Sequence, residues 1–175
     1  MVRTNNSMRR THQTSILYPD YIATSVLEIR PAELKKAGIT HLVLDIDETI
    51  VPKRHNELAN HYISFLEDLE KMGFVLLIGS NTNRDVTNII KHFNAQVVKP
   101  TTLSFKPLRR YYKRVIAAAG TDAKHIAMVG DKILNDIIGG NNAGLLTIMV
   151  EPYARQQKIH HRFYFRYALR NTTSN

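Results

Sequence analysis

The chain has 175 residues, no cysteine and a formal net charge of +9 at pH 7. That length suits one domain able to bury about 70% of its unfolded surface without covalent staples. The missing cysteine excludes disulfides, thiolate metal sites and a cysteine nucleophile, and fits a reducing compartment.

The charge sits at the ends. Residues 1–15 contribute three of the nine charges and residues 151–175 four, so the termini favour an anionic partner, either a membrane surface or nucleic acid. Residues 1–15 read as a flexible basic tail in preference to an organelle transit segment, and nothing there has the apolar core of a secretory signal. Residues 18–22 read as a short turn. A helix is expected over 31–37, with Pro31 at its first position and Gly38 ending it. Leu42, Val43 and Leu44 form a first strand that stops at Asp45. Residues 57–72 carry Leu58, Tyr62, Phe65, Leu66 and Leu69 on one helical face, closed by Gly73. A second strand follows over 74–78, a helix over 85–93 and a short third strand over 96–98. Residues 107–119 read as a helix ended by Gly120, residues 126–129 as a fourth strand, and 133–138 as the start of a helix interrupted by Gly139-Gly140. A fifth strand spans 145–150. This alternation predicts an α/β fold with a doubly wound, mostly parallel sheet and helices on both faces. The apolar runs 74–79 and 145–150 are far shorter than the roughly 20 residues of a membrane span.

Polar residues cluster after the first, second and fourth strands, the rim where such sheets place ligands. Asp45 and Asp47 share one small volume and repel unless a cation or a proton separates them. That suits magnesium and a nucleophilic carboxylate, and points to phosphate chemistry. Each residue also has a plainer role open to it. Asp45 and Asp47 could close a strand-end turn, Ser80 and Asn81 could cap the 85–93 helix, and Lys106 could be a solvated surface residue.

Asp45-x-Asp47-x-Thr49, Ser80 after the second strand, Lys106 before a helix and Gly130-Asp131-x-x-x-x-Asp136 occur in the order of the four motifs of the haloacid-dehalogenase (HAD) superfamily, which the chain resembles from about residue 18 to 152. The segments LVLDIDETIV, GSNTN, KPL and GDKILNDIIGGNNAG are similar to its YqeG-type branch, within HAD subfamily IIIA and related to mitochondrial phosphatidylglycerophosphate phosphatase. The resemblance implies a Mg2+-dependent phosphomonoester hydrolase with an aspartyl-phosphate on Asp45, proton transfer by Asp47, and charge neutralisation by Lys106. It implies phosphate binding by Ser80, Asn81 and Lys106, and a metal site drawn from Asp45, Asp47, Asp131 and Asp136. Asp136 would act through water or as an orienting group, and Thr49 would brace the Asp47 turn. Gly79 and Gly130 would let the chain turn sharply beside the phosphate.

Three positions depart from the branch pattern. Lys132 stands where Gln is usual, Asn135 where Thr is usual and Glu48 where Asn is common. Lys132 could weaken magnesium binding or hold an acidic substrate, and Glu48 should point away from the metal.

No stretch between the motifs has room for a cap domain. The open site therefore calls for an oligomeric neighbour or a large substrate such as a phospholipid headgroup. In 153–175, Lys158, Arg162, Arg166 and Arg170 recur every four residues beside Ile159, Phe163 and Tyr167, the pattern of an interfacial helix. Packing on the protein and nucleic-acid binding are the other uses of that segment. The favoured substrate is phosphatidylglycerophosphate. Soluble phosphomonoesters, phosphoproteins, or a HAD-fold assembly factor binding ribosomal or nucleic-acid partners are the alternatives. The expected location is cytoplasmic, with peripheral attachment to the inner membrane face, or the mitochondrial matrix.

Overall fold

The structure, a computed structural model, describes residues 8–11 and 15–153. The expected basic helix over 153–175 lies outside the described residues, apart from Tyr153. Among the described residues there are seven strands: β1 (Arg9–Arg10), β2 (Tyr21–Ala23), β3 (His41–Leu44), β4 (Val75–Gly79), β5 (Ala95–Val98), β6 (Ile126–Gly130) and β7 (Leu146–Val150). The helices are α1 (Pro31–Lys36), α2 (Asn60–Lys71), α3 (Thr87–Ile90), α4 (Arg109–Ala119) and α5 (Gly139–Asn142), with a π-helical segment, Ile133–Ile138, running directly into α5.

The strands form one sheet in the order β1-β2-β7-β6-β3-β4-β5, parallel throughout except for the β1–β2 pair. Side-chain alternation along β3 divides the core, because successive residues of a strand face opposite sides. Leu42 and Leu44 pack in the layer that holds Leu34 of α1, Tyr62, Leu66 and Leu69 of α2, and Ile89 of α3. Val43 packs in the other layer with Tyr111, Tyr112 and Val115 of α4. Each fully buried leucine is worth about 1.5–3 kcal/mol. Helices cover both faces, as the alternation of elements predicts.

After β3 the chain adds β4 and β5 on one side, then returns to add β6 and β7 on the other. β3 is thus the point where strand order reverses, and such points open a crevice at the carboxyl ends of the strands. Leu44 pairs with Ile78 of β4 and with Val129 of β6. Asp45, Ser80 and Asp131 therefore emerge almost level at that crevice.

Four local expectations need correction. Residues 21–23, placed in or beside a turn, form β2 between β1 and β7; Tyr21 pairs with Ile148 and Ile22 with Met149. Arg9–Arg10, placed in the tail, form the edge strand. The helix expected over 85–93 shrinks to Thr87–Ile90; at its start the Asp85 carboxylate accepts both the Thr87 N–H at 2.9 Å and its hydroxyl at 2.6 Å, in place of a helical turn. Such local bonds compete with helix propagation. Finally, Gly139-Gly140 do not interrupt the helix after β6. A Cβ at Gly139 would lie 2.6 Å from the Tyr112 ring, and one at Gly140 2.8 Å from Thr147 Cγ2, so the pair lets the helix settle onto α4 and the sheet.

Asn141, whose role the sequence leaves open, is a clamp. Its amide nitrogen donates to the carbonyls of Ile16 and Tyr18, each at 2.8 Å, and its oxygen accepts the Thr147 hydroxyl at 2.8 Å.

Candidate active site

Lys106 lies at the centre of the crevice and is only 2% exposed. Asn81, in the loop after β4, fixes its backbone: the Asn81 amide nitrogen donates to the Lys106 carbonyl and its oxygen accepts the Lys106 N–H, both at 2.8 Å. From there the ammonium reaches Asp45 Oδ1 at 2.8 Å and Asp136 Oδ1 at 2.5 Å. Asp45 and Asp136 are 1% and 0% exposed. Charges this deep persist only when paired.

On the far side of Asp45, the Lys132 ammonium lies 3.1 Å from Asp45 Oδ2, 3.1 Å from Asp131 Oδ1 and 3.4 Å from the Asp47 carbonyl oxygen. The second Asp136 oxygen accepts the Lys132 N–H at 3.0 Å. Both oxygens of Asp136 thus have protein partners, which suits an orienting group. Asp131 is different. Its Oδ1 accepts from the Thr49 hydroxyl at 3.4 Å as well as from Lys132, but its buried Oδ2 has no partner. Thr49 therefore reaches across to Asp131, a longer reach than bracing its own turn. Ligand oxygens of Asp45, Asp131 and Asp136 lie within 4.8 Å of one another. Hard carboxylate donors, one of them unsatisfied, fit a divalent cation such as magnesium.

The electrostatics follow from this crowding. Burial works to raise the Asp45 carboxyl, but Lys106 and Lys132 outweigh it and hold the group down at about 2. Burial also pushes Asp136 up, and Lys106, shared with Asp45, does not fully offset it. Asp131 is pushed up to about 7 by burial, with Asp136 and Asp45 adding to the effect and Lys132 opposing it. Burial works to lower both lysines, yet the surrounding carboxylates hold both ammoniums above their ordinary value.

A pH dependence of stability follows. The folded-state value of Asp131 lies above its unfolded value, so its contribution is complete below about pH 4 and is lost as pH rises through about 7. Asp45 behaves oppositely, its contribution being lost only as pH falls towards 2. Without divalent cations, the urea midpoint should fall between pH 5 and pH 8 by the equivalent of a few kcal/mol, and magnesium should restore it.

Asp47 faces the mouth, where Arg84 Nη2 donates to its Oδ1 at 2.7 Å and the Arg54 N–H donates at 3.1 Å. Arg84 also donates to the His55 carbonyl and to Asn56 Oδ1. Glu48 has φ of 68°, in the left-handed region that Asn tolerates better than Glu, which explains why Asn is common there. Its carboxylate accepts the Lys53 N–H at 2.8 Å and lies at the wall of the mouth.

These groups open on a cavity of about 320 Å³ lined by Asp45, Asp47, Ser80, Asn81, Lys106 and Lys132, among others. Ser80 does not cap α3, which has no side-chain cap bond; its hydroxyl accepts the Thr82 N–H at 3.4 Å. Gly79 and Gly130 lack the positive φ of a sharp turn, and their requirement is space. A Cβ at Gly79 would press on Val43, and one at Gly130 would overlap the Asp136 side chain. Gly130→Ala should cost about 1–3 kcal/mol by overpacking and displace Asp136 from Lys106. Denaturant melts, with nuclear magnetic resonance of the lysine ammoniums, would check both effects.

All the predicted residues, Asp45, Asp47, Ser80, Asn81, Lys106, Asp131 and Asp136, meet at this one rim. Arg84 was not singled out from sequence, although it stands only four residues after Ser80. Lys53 was missed as well; nothing in its local sequence sets it apart.

A family profile for haloacid dehalogenase-like hydrolases matches residues 11–144. The chain is 26% identical over 146 residues to YqeG of Bacillus subtilis (strain 168), described as a probable phosphatase; the match covers 83% of each. An uncharacterized protein of Listeria monocytogenes serotype 4b shares the fold with a TM-score of 0.55 and 23% identity, covering 69% of this chain and 85% of that one. A haloacid dehalogenase-like hydrolase of Brucella suis 1330 shares it with a TM-score of 0.53 and 11% identity, covering 79% and 96%.

Proposed function

Since the chain belongs to the haloacid dehalogenase-like hydrolases, we propose that it is a Mg2+-dependent phosphomonoester phosphatase working through an aspartyl-phosphate on Asp45. The observation that carries this reading is that Asp45 and Lys106 pair at the wall of one open cavity, with Asp131 close behind Asp45. Asp45 is ionised, level with the phosphate-binding loop, and paired to a lysine that also offers its charge to an incoming phosphoryl group.

Asp45, Asp131 and the Asp47 carbonyl would hold magnesium, which when bound screens the phosphoryl charge from the nucleophile. An Asp45 oxygen attacks phosphorus, and the bond to the ester oxygen breaks. Asp47 gives its proton to the departing alkoxide, which requires it to leave Arg84. In the second half, Asp47 takes a proton from a water that attacks the phosphoryl group, releasing inorganic phosphate and restoring the Asp45 carboxylate. A positioned acid and base of this kind is worth about 10²–10⁴-fold. Ser80 and the Asn81 N–H orient the phosphoryl oxygens. The Asn81 side chain is already committed to holding Lys106.

The favoured substrate is phosphatidylglycerophosphate, cleaved to phosphatidylglycerol at the inner face of a membrane. Three features support this reading: the uncapped mouth, exposed apolar residues next in the chain to residues that line it, and the positive charge of residues 151–175. Leu103, Phe105 and Leu108 flank Lys106 in the chain, and Leu134 precedes the cavity-lining Asn135; their exposure runs from 40% to 69%.

A magnesium-supplemented screen comparing phosphatidylglycerophosphate vesicles with soluble monoesters tests the assignment. Turnover of the lipid above all soluble esters supports it, and preference for a soluble ester replaces the substrate. Changing Leu103 and Phe105 to serine should lower turnover on vesicles about tenfold more than on a soluble chromogenic ester. Equal losses on both would remove the membrane role.

A further inference from the structure

We propose that the Lys132 ammonium is a tethered counter-ion that occupies the divalent-cation position of this site, so that magnesium binds by displacing a lysine. The inference rests on the magnesium site described under the proposed function.

The geometry is specific. Two carboxylate oxygens and one backbone carbonyl close on a single nitrogen: Asp45 Oδ2 at 3.1 Å, Asp131 Oδ1 at 3.1 Å and the Asp47 carbonyl at 3.4 Å. These oxygens come from the same three residues that would ligate the metal, and oxygens gathered around an ammonium cannot gather around a metal ion at the same time. Lys106 does not compete for that position. It approaches from the other side, uses Asp45 Oδ1 and Asp136 Oδ1, and its side chain is 1% exposed. The Lys132 side chain is 37% exposed and borders the 320 Å³ mouth, so it has somewhere to go.

Charge balance favours exchange. With all three carboxylates (Asp45, Asp131 and Asp136) ionised, as ligation of a divalent cation requires, they face two ammoniums and leave one negative charge. A divalent cation added with Lys132 in place would leave one positive charge on a cluster whose carboxylates are almost fully buried. Replacing Lys132 brings the cluster to neutrality, the cheaper outcome where solvation is poor. The released ammonium then lies in the mouth, where an acidic leaving group can use it.

Calorimetric titration of the metal-stripped full chain with MgCl2 tests the proposal in wild type, Lys132→Gln, Lys132→Arg and Asp131→Asn. Lys132→Gln should bind Mg2+ about tenfold or more tightly than wild type, while Lys132→Arg stays within about threefold of it. Metal-free Lys132→Gln should also melt lower and gain more from Mg2+ than wild type does.

Equal, measurable affinities in wild type and Lys132→Gln would overturn the exchange and leave the metal site standing. No binding in any variant would remove the metal site and the exchange together. A wild-type crystal structure with Mg2+ decides the matter should the variants not fold. Lys132 Nζ is expected out of hydrogen-bond reach of Asp45 and Asp131, and its retention beside a bound ion would refute the proposal.

Discussion

Asp45→Asn should leave a folded protein whose turnover of phosphomonoesters falls by about 10⁴-fold or more, the scale on which loss of a nucleophile is felt. The amide matches the carboxylate in shape, so the crevice should keep its form. It cannot attack phosphorus, because the lone pair and the charge that make the carboxylate a usable nucleophile are gone. The variant also gives up the pairing of Asp45 with Lys106 and Lys132, which outweighs repulsion from Asp131 and Asp136. The melting temperature should therefore fall by several degrees while the fold survives. Single-turnover kinetics with a chromogenic ester, beside circular dichroism melts, separate loss of chemistry from loss of fold. Retained activity in a variant confirmed by mass would remove Asp45 as nucleophile.

Lys106→Met should destabilise the chain by about 3–5 kcal/mol, the cost of stranding buried charges. Asp45 and Asp136 would both lose their shared partner; Asp45 keeps Lys132, but fully buried Asp136 keeps no cationic side chain. For a domain of this size the melting temperature should drop by roughly 6–20 °C. The deficit should shrink as pH is lowered, since a protonated carboxyl needs no counter-ion. Methionine fills much of the lysine volume, so a cavity contributes little. An unchanged melting temperature would mean that the lysine lies at the surface.

The strands of the central sheet were legible because parallel strands buried on both faces are unbroken apolar runs, and because Asp45, Ser80 and Asp131 break those runs at their carboxyl ends. Loop convergence followed from the same fact, since paired strands of matched register must end together. Strands β1 and β2 were not legible. Two or three residues cannot display a period of two, and their pairing is settled by β7, which lies more than a hundred residues along the chain. Arg84 was hidden for a related reason. Its partner Asp47 is 37 residues away, and an arginine in a polar loop resembles any solvated cation. Gly139-Gly140 misled because glycine weakens a helix viewed in isolation, whereas here the missing side chains admit Tyr112 and the sheet. Lys132 was visible as a departure from a pattern, but only coordinates show which oxygens surround it.

The Asn141 clamp has a consequence for handling this protein. The helix that presents Asp136 is lashed at its far end to the backbone of Ile16 and Tyr18. Trimming the chain before residue 20 to obtain a tidier sample would cut that lashing and loosen Asp136, the acid paired to Lys106, from a distance. Shortened forms that look inert should be compared with the intact polypeptide before the enzyme is judged inactive.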